Sequence, residues 1–236
     1  MIDLMMAHAA DEFPNECCGL LVTGPRGDRL VRAKNLAIQP GREFDLDPDA
    51  WLEVEDDETV SAVYHSHPNG TSEPSLADKS ACESSGLPWH IVGYPGGSHT
   101  LIDPSGFDAP YLERPYVHGV HDCYSIVRDW YRRECGVELP DFDRRDGWWN
   151  RGENLYVDNF ADCGFTQISD EPKLGDLFLM QVGSRKPNHA AIYMGDGTIL
   201  HHVYGNLSSL DAWGGYWLKH TVMTIRHESR MRTTHG

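Results

Sequence analysis

The sequence predicts an α+β protein of two domains, on three observations. Its 236 residues suit two compact domains of about 110 to 120 residues each. Short apolar or alternating runs closed by Gly and Pro are interleaved with amphipathic helical stretches, the pattern of mixed α and β layers. A segment bearing Pro104, Gly106 and Pro110 then separates two halves of different charge, which places the domains at residues 1–109 and 110–236.

In chain order, LMMAHAADEF reads as a short amphipathic helix ending before Pro14. GLLVTG reads as a strand closed by a Gly-Pro turn, with RLVRAKNLAI as its hairpin partner. TVSAVYHSHP is a strand that ends in histidines. Pro74 and Ser75 open a helix, SLADKSACESSG, stopped by Gly86 and Pro88. PWHIVGYPGG and SHTLIDP supply two more strands. Beyond the linker, HDCYSIVRDWYRRECGVELP is strongly amphipathic, with Cys123, Ile126, Val127, Trp130 and Tyr131 at helical spacing. The stretch DRRDGWWNRGEN is irregular or partly helical. DLFLMQV, HAAIYMG, TILHHVYG and HTVMTIR, set between Gly-Asp turns, read as an antiparallel sheet.

Composition excludes several classes. The chain is 40% hydrophobic and 24% charged, ordinary for a folded domain, and no apolar run approaches a membrane span. MIDLMMAHAADEF offers no basic n-region and no small-residue cleavage site, so a secretory signal is not expected. The net charge of −16 is uneven, with 19 acidic against 6 basic residues in 1–109 and 17 against 14 in 110–236. Neither half has the basic footprint that releases counterions from phosphates, so no nucleic acid is expected as a partner. Six scattered cysteines form no CxxC pair and no disulfide framework.

His65 and His67 lie one residue apart on a strand and therefore point to the same side. Asp78 follows across a turn into a helix, where it can return over the same pocket. Two imidazoles and a carboxylate leave one tetrahedral position for water, the donor set of catalytic rather than structural Zn2+. A carboxylate must still move the proton, and Glu16 in PNECCG is the candidate base. Cys17 and Cys18 run into an apolar strand and read as buried small hydrophobes. His8, His90 and His99 read as ordinary residues. The pattern Glu16, His65-Ser66-His67-Pro68, Ser75-x-x-Asp78 resembles the JAMM signature of the Mov34/MPN/PAD-1 metallopeptidases over roughly residues 1–103. The resemblance implies amide or isopeptide hydrolysis, with Ser75 helping to hold the tetrahedral oxyanion.

Cys123 follows Asp122 at the first turn of a helix. A helix N-terminus favours the thiolate, so a lowered thiol pKa is expected there, with Asp122 as cap. His189 opens one strand and His201 closes the next across a Gly-Asp-Gly turn, which brings two imidazoles near each other. This half resembles the NlpC-type papain-like peptidases that cut peptide stems of bacterial cell walls. The shared features are the Asp-Cys dipeptide opening a helix, Gly175-Asp176 before a strand, and H-x-x-I-Y-x-G at His189. The resemblance makes Cys123 the nucleophile, His189 its partner and His201 the third polar residue, and matches Tyr116 to a tyrosine near the nucleophile. His202 is expected to face away from His201 by strand alternation. Trp148, Trp149, Trp213, Tyr216 and Trp217 read first as packing, and second as the lining of a groove.

The two domains in this order resemble the tail-tip assembly proteins of lambda-like siphophages. That resemblance implies a protein made in the host bacterial cytoplasm and placed at the virion tail tip. Its partners would be peptidoglycan peptide stems and other phage tail-tip proteins. The implied activity is a thiol peptidase joined to a zinc-dependent hydrolase; a structural tail-tip factor with one or both sites silent is the second reading.

Overall fold

The computed structural model describes residues 1–145 and 147–231. The chain divides into two compact units, Met1–Asp108 and Ala109–Gly236, and mixed α and β layers build both. No helix among the described residues is long and apolar enough to cross a membrane.

The first unit holds β1 (Cys18–Gly24), β2 (Gly27–Ala33), β3 (Thr59–Pro68), β4 (Trp89–Tyr94) and β5 (Ser98–Ile102) in one sheet of order β2-β1-β3-β4-β5. Only β3 and β4 run parallel, because the helix α2 (Leu76–Ser85) crosses between them. Helix α1 (Ile2–Glu12) covers one face, its Met5 and Ala9 packing on Cys17, Tyr64 and Val92. Leu20, Val22, Val63, Cys82 and Trp89 form the core on the other. Strand alternation puts Tyr64 into the first cluster and Val63 into the second. The hairpin partner is shorter than the sequence predicts, since Asn35 leaves the strand and its side chain instead accepts from the amides of Ala37 and Asp45. An amide that closes a loop in this way competes with the ladder.

The second unit has β6 (Phe165–Ile168), β7 (Leu177–Met180), β8 (His189–Tyr193), β9 (Thr198–His201), β10 (Ser209–Ala212) and β11 (Thr221–His227). Their order is β10-β9-β8-β7-β11-β6, antiparallel at every pair. Helix α3 (Cys123–Trp130) continues as a π-turn over Tyr131–Cys135. It buries Ile126, Val127, Trp130 and Tyr131 against Leu179, Ala190 and Ile192. On the opposite face Phe178, Met180, Ala191 and Ile199 pack under Trp213 and Trp217. Two short helices, α4 (Leu155–Asn159) and α5 (Gly215–His220), and the strands β6 and β10 go beyond the elements read from the sequence.

The Gly175-Asp176 pair has a physical reason. Gly175 sits at φ +91°, and a Cβ there would meet Trp130 at 2.8 Å, so only glycine fits. Asp176 is fully buried and takes a two-pronged bond from Arg226 on β11, with Nε at 2.7 Å and Nη2 at 2.6 Å. That fork ties the turn before β7 to the strand inserted beside it.

Gly19, in the middle of β1, is held as closely. A Cβ would meet the Val31 carbonyl oxygen at 2.2 Å and the Tyr64 ring at 2.6 Å. Because a backbone atom cannot swing aside, Gly19→Ala is expected to cost the first unit about 1–3 kcal/mol or more. A lowered urea midpoint for that unit, followed by the fluorescence of Trp89, is the measurement that checks it.

Candidate functional site

The pairing of β1 with β3 sets Cys18 opposite His65, and the Ser66 amide donates to the Cys17 carbonyl at 3.0 Å. Continued by two residues, this register lays Glu16 beside His67. Asp78 arrives from the first turn of α2, where it closes a reciprocal cap. Its amide donates to Ser75 Oγ at 3.0 Å, and the Ser75 amide donates to Asp78 Oδ2 at 2.7 Å. The same carboxylate that caps the helix is thereby aimed at the histidines. Ser75 is thus brought to the site as the residue that orients Asp78.

His65 Nε2 lies 3.1 Å from His67 Nε2 and 3.2 Å from Asp78 Oδ1, and His67 Nε2 lies 3.4 Å from Asp78 Oδ2. Among the described residues these three form a group whose ligand atoms all lie within 4.8 Å of one another. A tetrahedral ion with bonds of ~2.0–2.1 Å needs neighbouring ligands roughly 3.3 Å apart, so the spacing fits. The His67 Nδ1–H donates to the Thr71 carbonyl at 2.8 Å, which turns Nε2 inward, the usual outer support of a metal-binding imidazole. Phe44 stacks on His65 at 4.6 Å between centroids, and His65 is fully buried.

Burial and the Asp78 carboxylate together set the electrostatics of the group. Burial lowers His65. His67 is desolvated too, yet the adjoining Asp78 carboxylate carries it above its ordinary value. Asp78 overcomes its own burial because both imidazoles hold its carboxyl far below the usual range. Burial pushes Glu16 up to about 8, with His67 opposing and Asp78 and Glu43 adding.

In the second unit α3 lies on β8, one beginning with Cys123 and the other with His189. Both line a cavity of about 130 Å³, with Tyr116, Tyr156, Arg144 and His202 among its other walls. Tyr156 Oη lies 3.2 Å from the Cys123 sulfur, and the Ala190 amide favours its thiolate. His189 Nε2 is 2.9 Å from His201 Nδ1. His202 faces away from His201 as alternation requires; it meets the Tyr116 ring edge-on and joins the cavity wall. Tyr116 lines the cavity as well, but its hydroxyl is 3.1 Å from His118 Nδ1, and the hydroxyl beside the sulfur belongs to Tyr156. Trp148 and Trp149 line the cavity, whereas Trp217 packs on His201 and His189.

Asp122 caps α3 as expected, accepting from the Tyr124 and Ser125 amides at 2.9 and 2.8 Å. Its other oxygen takes the Arg144 Nε at 3.0 Å and the Gly119 amide at 3.0 Å. The thiol beside it departs from the expected lowering. Burial pushes Cys123 up to about 11 and the Asp122 carboxylate adds to it, while Tyr156, the Ala190 amide and Arg144 pull the other way. Burial likewise pulls His189 down to about 3, reinforced by His201 and His202. The resting pair is therefore a neutral thiol and a neutral imidazole, because desolvation outweighs the helix terminus. Tyr156 and Asp211, which lies 3.2 Å from His201 Nε2, are the site residues that sequence reasoning missed.

Residues 1–118 match the family of prokaryotic homologs of the JAB domain, and residues 113–226 match the NlpC/P60 family. Tail tip assembly protein K of Escherichia phage N15 is 42% identical over 229 residues, covering 96% of this chain and 94% of that protein. Tail tip assembly protein K of Escherichia phage lambda is 39% identical over 186 residues, covering 78% of this chain and 90% of that protein. Among solved structures, an NLP/P60 family protein from Staphylococcus aureus aligns at 22% identity over 50% of this chain and 37% of that one, with a TM-score of 0.37.

Two outcomes follow from the His-His-Asp geometry. Equilibrium zinc binding should reach about one ion per chain, and His67→Ala or Asp78→Ala should abolish it. In the metal-free protein Glu16 keeps its proton to about pH 8, whereas the unfolded chain releases it near 4.5. Its contribution to stability is therefore full below 4.5 and lost as pH rises towards 8. Glu16→Gln cannot ionise, so it should flatten that fall in melting temperature, measured with a chelator present.

Proposed function

The chain belongs to the tail tip assembly protein K family, and on that premise we propose that it is a two-site hydrolase of the phage tail tip. In this reading the thiol site opens peptide stems or crosslinks of host peptidoglycan. The His-His-Asp site cleaves an amide or isopeptide bond with Zn2+ bound. The protein is made in the host cytoplasm and acts at the virion tail tip beside other tail-tip proteins. The observation that carries the proposal is that Cys123 and His189 line one cavity, with His201 Nδ1 2.9 Å from the Nε2 of that imidazole.

At the thiol site the chemistry starts from a neutral pair. As Cys123 Sγ attacks the scissile carbonyl carbon, His189 takes the thiol proton, acting as general base at the moment of attack. The C–N bond then breaks, and His189 returns the proton to the leaving amine. Water attacks the resulting thioester, again giving its proton through His189, and the acid product leaves with Cys123 restored. His201 holds the His189 ring in place throughout, the part that the third residue plays in such triads.

At the other site His65, His67 and Asp78 would hold the metal. Zinc, when bound, supplies an activated water and polarises the substrate carbonyl. Glu16 moves the proton; a carboxyl raised towards neutrality is suited both to accept and to release it. Ser75 keeps Asp78 aimed through the cap, and its hydroxyl hydrogen remains to face the substrate oxygen.

Product analysis on isolated peptidoglycan tests the reading. Wild-type protein should release muropeptides, and Cys123→Ala should lower the rate by at least about 100-fold, while His67→Ala leaves that release intact. Equal release by Cys123→Ala would sink the thiol mechanism. Glu16→Gln should keep its zinc and lose metal-dependent hydrolysis. A chelator should silence that activity alone, and alkylation the thiol activity alone.

A further inference from the structure

The sheet places a carboxylate behind the imidazole pair. Across β8 and β9, Ala191 stands opposite His201, and across β9 and β10, His201 stands opposite Ser209. His189 and Asp211 are therefore the diagonal neighbours of His201 on either side, all on the face away from α3. Asp211 Oδ2 lies 3.2 Å from His201 Nε2. The carboxylate is itself held, since Trp217 Nε1 donates to Oδ2 at 3.0 Å and Ser209 Oγ donates to Oδ1 at 3.4 Å. The Trp217 ring packs edge-on against His201 at 4.5 Å and stacks on His189 at 5.7 Å.

We propose that Asp211 is a positioning residue that fixes the protons of both imidazoles, making the thiol centre a four-membered relay Cys123–His189–His201–Asp211. The proposal rests on the thiol-peptidase reading of this site. An ionised carboxylate only accepts, so the buried His201 Nε2 beside it carries the hydrogen. His201 Nδ1 is then a lone pair and accepts from His189 Nε2–H. His189 Nδ1 is left as the lone pair, the form that can take the Cys123 proton. One carboxylate thus selects the tautomer of two rings.

Charge gives the relay a second task. His189 is faced by His201, His202, Cys123 and Asp122. Asp122 is already engaged by two helix amides and by Arg144. When the thiol proton moves to His189, the positive charge arises where burial disfavours it. Asp211 is the anion that the imidazole chain connects to that charge. It lies half-buried on β10, at one edge of the sheet, and Asp211→Asn keeps an acceptor for the Trp217 indole.

The test uses the full chain and needs no substrate. Iodoacetamide alkylation of Cys123 is followed by peptide mass spectrometry across pH for wild type, Asp211→Asn and Asp211→Ala. In parallel, 15N resonances of labelled histidine read the His201 tautomer. Both variants should alkylate about tenfold more slowly at pH 7, with the rate profile moved about one unit up in pH. Asp211→Asn should keep His201 protonated on Nε2, and Asp211→Ala should lose that preference. Alkylation of Asp211→Asn within twofold of wild type, or a wild-type His201 protonated on Nδ1, would overturn the relay. Failure to cut peptidoglycan would instead overturn the functional reading and leave both of these readouts standing.

Discussion

Strand register is the constraint on which both centres depend. In the first unit Cys18 must pair with His65 for Glu16 to reach His67. In the second, Ala191 must pair with His201 for the imidazoles to meet. A slip by one residue would turn the strand-borne members, His65 and His67 in one sheet and His189, His201 and Asp211 in the other, to the wrong face. The register is secured by burial on both faces of each sheet, where Tyr64 and Val63 belong to opposite cores, as do Ala190 and Ala191. The geometry of both centres is thus specified by hydrophobic packing, which reaches the imidazoles themselves through Phe44 on His65 and Trp217 on His189 and His201.

Most of this was legible in the sequence because the signals are local. Pro74, Ser75 and Gly86 punctuate α2, and the run TVSAVYHSHP is β3 itself. Asp122 reads as a cap from its place before an amphipathic run. Asp211 was not legible: SLDA offers no apolar run, and its meaning comes from a neighbour ten residues earlier across a loop. Tyr156 lies on a five-residue helix and meets Cys123 only through tertiary packing. The direction of the Cys123 thiol is a third case. A helix terminus is visible in sequence, but the burial that outweighs it is a property of the folded unit.

The two centres handle charge in opposite ways. The first gathers two imidazoles and two carboxyl groups, and Asp78 stays ionised there because its neighbours donate to it. Its His-His-Asp part is a donor set that could hold a metal ion. The second unit separates its charges instead. Asp122 is neutralised by Arg144 in the buried floor, and the thiol and imidazole rest uncharged above it. A neutral pair avoids the desolvation cost of a standing ion pair, and in the proposed mechanism charge arises only during attack.

The place of β11 has a consequence for how the protein comes into being. It follows every member of the thiol site in the chain, yet it is inserted between β7 and β6, locked by the Arg226–Asp176 fork. During translation the strand carrying His189 therefore exists before the sheet that steadies it can close. The nascent second unit therefore lacks a finished sheet until residues 221–227 have been added, after every residue of the thiol site.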